Sequence, residues 1–231
     1  MLPFSGAVSM SLKERYLILL IGVIIQSSGS ALITRSTLGS PPISSAPFVG
    51  TLLTHFTLGE LTFLFNVLML IGQIALLRRR FKRIQILQLP ITFIFAAGLD
   101  LFMKLFAWTL SDHYLVNLAV LAAGEVMLSA GVALQVIANV LMLPGEGIVY
   151  AISVTFKRDF AKVKTCFDCS VVGTAIFLSL YFLHSLAGVR EGTLVAALLT
   201  GIIANFLIAH LSFFDEGGGL VFRFPWQKRR S

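Results

Sequence analysis

The sequence predicts an all-α, polytopic membrane protein. Its six transmembrane helices are expected as two inverted three-helix repeats, with broken or re-entrant segments after helices 1 and 4. Three observations carry this expectation. Of 231 residues, 57% are hydrophobic and 13% charged, where an ordinary soluble domain has roughly a quarter of its positions charged. Six apolar runs each reach the roughly 20 residues that a hydrocarbon core requires. The two halves also repeat one another at an offset of 102 residues: six of the fourteen positions from Leu19 to Leu32 recur unchanged, among them Gly22/Gly124, Ser27/Ser129 and Gly29/Gly131. The same offset pairs Pro42 with Pro144, Phe65 with Phe167, Asn66 with Asp168 and Leu76 with Leu178. Three spans per half start the second half on the opposite side of the membrane, the arrangement of many secondary transporters.

Taken in order, the spans are 16–35, 58–77, 86–108, 114–143, 167–189 and 193–214. Lys13 and Arg15 ahead of the first run would also fit a secretory signal. The length of the run and its match to the fourth span argue that it is kept. The chain divides at 1–113 and 114–214, leaving 215–231 as a tail in which Phe222, Phe224 and Trp226 adjoin basic residues and fit a membrane interface. The net charge of +7 is distributed as a topology signal rather than as a nucleic-acid surface. Its clusters at 13–15, 78–83, 157–164 and 223–230 all fall on one side of a six-span chain, which makes both termini cytoplasmic, and only Arg35, Lys104 and Arg190 fall elsewhere. Glycines 22, 29, 124 and 131 recur at seven-residue spacing on one face of helices 1 and 4, a pattern for close helix packing.

The connections inside each half hold the candidate site. After the first span comes STLGSPPISSAPFVGTLLTHFT and after the fourth LPGEGIVYAISVTFKRDFAKVK. Each opens on a Gly/Pro break and continues into an apolar stretch too short to cross a bilayer. Irregular backbone at that depth must line protein or a water-filled cavity, and two breaks at matching places in inverted halves point to a substrate site. Pro42 and Pro144 are expected to end the preceding helices at the same place. Ser44, Ser45, Glu146 and the amides of Gly145 and Gly147 then become the near neighbours of a solute, with Asn66 and Asp168 behind them. A plain turn cap is the other reading of any single one of these residues.

Ionisable residues within spans are functional candidates by default. Asp100 and Lys104 lie four apart on one helical face, either as a gating pair or as a pair that neutralises itself. Glu125 has no opposite charge along its helix. Such a carboxylate must be protonated, paired across helices or bound to a cation, and it is the leading candidate for ion or proton coupling. Glu60 and the Arg190–Glu191 pair have helix-start explanations, and Arg35 either snorkels or binds an anion. Cys166 and Cys169, three apart, read either as half of a redox or zinc motif or as small packing residues. His184 and His210 lack metal-ligand spacing. With no nucleotide-binding glycine loop, no G-x-S-x-G and no H-E-x-x-H, no catalytic residue, cofactor or metal ligand is assigned, and an enzyme is not expected.

Three stretches, GSALITRSTLGSPPISSAPFVGTLL (29–53), FLFNVLMLIGQIALLRRRFKRIQILQLP (63–90) and GVREGTLVAALLTGII (188–203), resemble the YczE/YyaS/YitT-like bacterial integral membrane proteins. The resemblance runs from Gly22 to Phe206. It implies a compact protein of the bacterial cytoplasmic membrane, without the soluble C-terminal domain of the longer YitT-type members, and it carries over no substrate and no catalytic residue. The expected function is secondary transport of a small polar solute or ion by alternating access. The alternative is a non-transporting solute-binding subunit or a regulator of a membrane complex. The expected partners are the lipid bilayer and the solute, with a homo-oligomer compatible with either reading.

Overall fold

The computed structural model describes residues 11–81, 83–109, 112–158, 160–214 and 220–222. Within them the chain is helical: α1 Leu12–Arg35, α2 Pro42–Leu53, α3 Leu58–Leu77, α4 Gln88–Leu105, α5 Tyr114–Ala138, α6 Pro144–Phe156, α7 Phe160–Leu183 and α8 Glu191–Leu211. Two three-residue strands, β1 Ser212–Phe214 and β2 Leu220–Phe222, pair antiparallel after α8. Six helices are long and apolar enough to cross a membrane. The two that are not, α2 and α6, have 12 and 13 residues and follow the first and fourth of the long ones. Each half of the chain therefore runs long, short, long, long.

Local chemistry sets the helix starts. Ser11 and Glu14 form a capping box at α1, and Thr57 and Glu60 form another at α3, with the Thr57 amide donating to Glu60 Oε2 at 2.8 Å and the Glu60 amide donating to Thr57 Oγ1 at 3.1 Å. Each box satisfies two amides that the first turn leaves without helical partners. Pro42 and Pro144 occupy the first positions of α2 and α6, where a missing amide hydrogen is harmless and the fixed φ suits the helix.

That placement corrects one expectation, because the prolines open the short helices and do not close the long ones. α1 stops at Arg35, before Thr37 and Gly39 turn to φ 59 and 140, and α5 stops at Ala138, where Asn139 is left-handed. The fourth span is thus shorter than 114–143. The fifth begins earlier and ends earlier than 167–189, and the tail 215–231, apart from 220–222, lies outside the described residues.

α1 and α5 form the centre: 67% of the apolar window of α1 is buried, against 11% for α8. They cross on their glycines. A Cβ on Gly29 would lie 2.3 Å from the Leu128 nitrogen and 2.7 Å from the Gly124 oxygen, and one on Gly131 would lie 2.5 Å from the Gln26 nitrogen. Gly22 meets Gly131 while Gly29 meets Gly124, so the two helices are antiparallel. Around them α4 packs on α1 and α8 on α5, while α2 packs on α7 and α6 on α3. The short helix of each half therefore lies against a long helix of the other. A row of large apolar residues on α8, Leu194, Leu198, Ile202 and Phe206, is exposed at four-residue spacing, the face that a helix turns to lipid.

Candidate functional site

The starts of the two short helices meet. Ile43, in the first turn of α2, fills the place a side chain on Gly145 would take, with its Cδ1 2.0 Å from that Cβ position. Gly147 is also pressed, by the Gln73 amide, 2.5 Å from its Cβ position. The fully buried Gln73 Nε2 donates to Pro144 O at 3.0 Å and to Gln88 Oε1 at 3.3 Å, tying α3 and α4 to the start of α6. A larger residue at either position would have to push the neighbouring side chain aside.

Polar residues on the short helices and on the long helices that follow them form two sets that match at the 102-residue offset. The first set is Ser44 on α2 with Thr62 and Asn66 on α3; the second is Glu146 on α6 with Lys164 and Asp168 on α7. All three members of the first set are buried. Asn66 donates to Thr62 O at 2.8 Å, whereas Ser44 Oγ and Thr62 Oγ1 have no hydrogen-bond partner. In the second set Lys164 Nζ and Asp168 Oδ1 form an ion pair at 2.8 Å, and Glu146 lies in the field of both charges. Lys164 thus pairs with Asp168, and no ion pair joins Glu146 to either among the described residues. Sequence reasoning missed Thr62 and Lys164, although both stand four residues before flagged positions and are polar at the same offset. Ser45 turns inward on its own helix, donating to Pro42 O at 2.6 Å, which is the cap reading for that residue.

The remaining candidates stand apart from the seam. Asp100 does not pair with Lys104, and no ion pair joins them among the described residues. Asp100 instead accepts from Thr57 Oγ1 at 2.5 Å and from the Gly59 amide at 2.7 Å, anchoring the start of α3 to α4. Lys104 borders an open cleft with Phe48, Phe56 and Asp100. Arg35 donates through Nε to Met103 O at 2.8 Å and through Nη2 to the same oxygen, so it ties α1 to α4. Arg190 pairs with Glu191 at 3.3 Å and donates to Thr37 O at 3.0 Å, and Glu60 serves its capping box. Cys166 and Cys169 are exposed thiols and not interior packing residues. His184 and His210 are exposed. Glu125 lies between α5 and α8, with no hydrogen bond to α2 or α6.

Six lipid-length helices around two short helices whose starts meet define a multi-pass membrane protein. Residues 13–209 match a family of unknown function, DUF6198, and the chain belongs to that family. No curated protein and no solved structure matches it.

Proposed function

We propose that the protein is a secondary transporter of a small polar solute or ion in the bacterial cytoplasmic membrane, built from two inverted repeats and working by alternating access. The observation that carries this reading is the pair of polar sets matched at the 102-residue offset, the first of which holds two buried hydroxyls, Ser44 Oγ and Thr62 Oγ1, without hydrogen-bond partners. Two fully buried hydroxyls without protein partners are costly unless something else bonds to them, and a small hydrogen-bonding solute would do so. Support for the inverted repeat comes from the antiparallel α1–α5 crossing, the equal element order of the halves, and the exchange of short helices between them. The likeness to YczE/YyaS/YitT-like proteins belongs to the same reading and suggests no substrate.

In this arrangement α3 descends from outside and α7 rises from the cytoplasm. The neutral set then faces the outer path, the charged set faces the inner path, and Ile43 against Gly145 is the closed gate between them. The basic clusters support a topology with both termini inside. Reporter fusions after Arg83 and after Ser231 should both read cytoplasmic, and a periplasmic signal from either would reverse the assignment.

The site itself is tested by single cysteines at Ser44 and Glu146 in a background without Cys166 and Cys169. Gly147 is unsuited because its side chain would strike Gln73. Small aqueous thiol reagents should label both positions in proteoliposomes, and a solute that is taken up should protect both. A solute taken up without protecting either would remove the site and leave transport standing; failure of a broad solute panel to enter would remove transport.

A further inference from the structure

Glu125 is a deeply buried titratable group that the solute path does not use. It is 2% exposed, in the contact between α5 and α8. Its Oε1 lies 2.6 Å from Thr200 Oγ1 and 3.4 Å from Ser129 Oγ, and its Oε2 has no hydrogen-bond partner. Thr200 Oγ1 is also 2.6 Å from Ala196 O. A threonine hydroxyl carries one hydrogen and a peptide carbonyl carries none, so Thr200 can donate across only one of its two 2.6 Å contacts. When it bonds back to Ala196 O, a common arrangement for helical threonine, the contact with Oε1 requires a hydrogen on Glu125. When Glu125 is a carboxylate, the Thr200 hydrogen turns to Oε1 and Ala196 O loses its side-chain donor.

The matching positions of the first half show what packing alone requires. Val23, Ser27 and Gly98 stand where Glu125, Ser129 and Thr200 stand 102 residues later, and there a Cβ on Gly98 would lie 2.6 Å from Ser27 Oγ. At these positions α4 closes on α1 with no titratable group, so the same kind of helix contact does not need a carboxylate there. Charges on the neighbouring helices do not hold Glu125 either. α1 carries Lys13, Glu14, Arg15, Tyr16 and Arg35 near its ends, α8 carries Glu191 and His210 near its ends, and none forms an ion pair with Glu125 among the described residues.

We propose that Glu125 is a proton-binding site whose occupancy Thr200 reads across the α5–α8 contact. The proton comes from water on whichever side that contact opens and binds Oε1. The Thr200 hydrogen turns to Ala196 O, and the site passes from one negative charge to none. Release reverses each move and returns the proton to water. Proton binding stands on this geometry alone; its use in coupling rests on the transport reading.

The test is infrared difference spectroscopy of the full chain in lipid nanodiscs as pH is varied. A buried carboxylic-acid carbonyl band should titrate, shift on exchange into heavy water, and be lost in Glu125→Gln, which keeps the side chain's size. Thr200→Val should move both band and midpoint, and Thr200→Ser should restore them. The proposal is overturned if Glu125→Gln keeps the band, if Thr200→Val leaves band and midpoint unchanged, or if sodium chloride at constant pH abolishes the band, which would mark a sodium site. In proteoliposomes, an imposed proton gradient should drive uptake by the wild type and not by Glu125→Gln. A titrating band without uptake of any solute keeps the proton site and removes the transport reading, and uptake without the band does the reverse.

Discussion

Gly29→Leu is expected to leave little or no folded protein. The first atom of the new side chain would lie 2.3 Å from the Leu128 nitrogen, 2.7 Å from the Gly124 oxygen and 2.8 Å from the Leu128 Cα. These are backbone atoms, so no rotamer change relieves the overlap and α1 must move away from α5. Inserting a methylene into a packed core costs about 1–3 kcal/mol. A full side chain driven between two backbones belongs to the rare substitutions that cost more than about 4 kcal/mol. Lipid tails offer helices little hydrophobic gain for staying together, so close packing of small residues carries much of the association. Gly173→Leu and Gly201→Leu are the controls, because nothing lies within 4 Å of a Cβ at either position. Size-exclusion profiles and thermal unfolding in detergent decide the matter: a monodisperse Gly29→Leu melting with the controls would show that the glycine crossing does not hold the fold.

Asp100→Ala should destabilise the protein by about 2 kcal/mol, the loss of charge-assisted bonds worth roughly 1.5–3 kcal/mol each, reduced because water can reach Thr57. Its carboxylate receives both the Thr57 hydroxyl and the Gly59 amide, while Gly59 is pressed so closely on α4 that a Cβ there would lie 2.3 Å from Ala96 O. Removal of the acceptor leaves that part-buried amide without a partner. Asp100→Asn, which keeps one carbonyl oxygen, should fall between the two. Lys104→Ala should stay within about 0.5 kcal/mol, as surface substitutions usually do. If the lysine variant melted as low as Asp100→Ala, the two residues would be acting as the neutralising pair that their spacing suggests.

The two candidate sites were unequally legible. Pro42, Pro144 and the short apolar runs behind them revealed α2 and α6, because breaks and run lengths are written locally along the chain. Ser44, Glu146, Asn66 and Asp168 were legible for the same reason. Thr62 and Lys164 were within reach of the offset that paired their neighbours, but an ordinary threonine near a helix start gives no warning that its hydroxyl will lack a partner. Gln73 and Gln88 gave no signal, since their meeting with Pro144 O depends on how α3, α4 and α6 are brought together.

The sequence by itself determined which segments are long and apolar enough to span a membrane, which are too short, that Glu60 serves a helix start, and that Gly22, Gly29, Gly124 and Gly131 share faces. Each of these follows from neighbours a few residues apart: hydropathy summed along a run, a cap three residues from its amide, a helical period. Tertiary structure alone decided that Asp100 serves Thr57 and Gly59, that Arg35 holds Met103 O, that Ile43 fills the space beside Gly145, and that Thr200 stands between Glu125 and Ala196. The reason is competition among partners. A buried charge or hydroxyl takes the best-placed group that packing brings to it, and in Asp100 an amide and a hydroxyl on another helix won over a lysine one turn away.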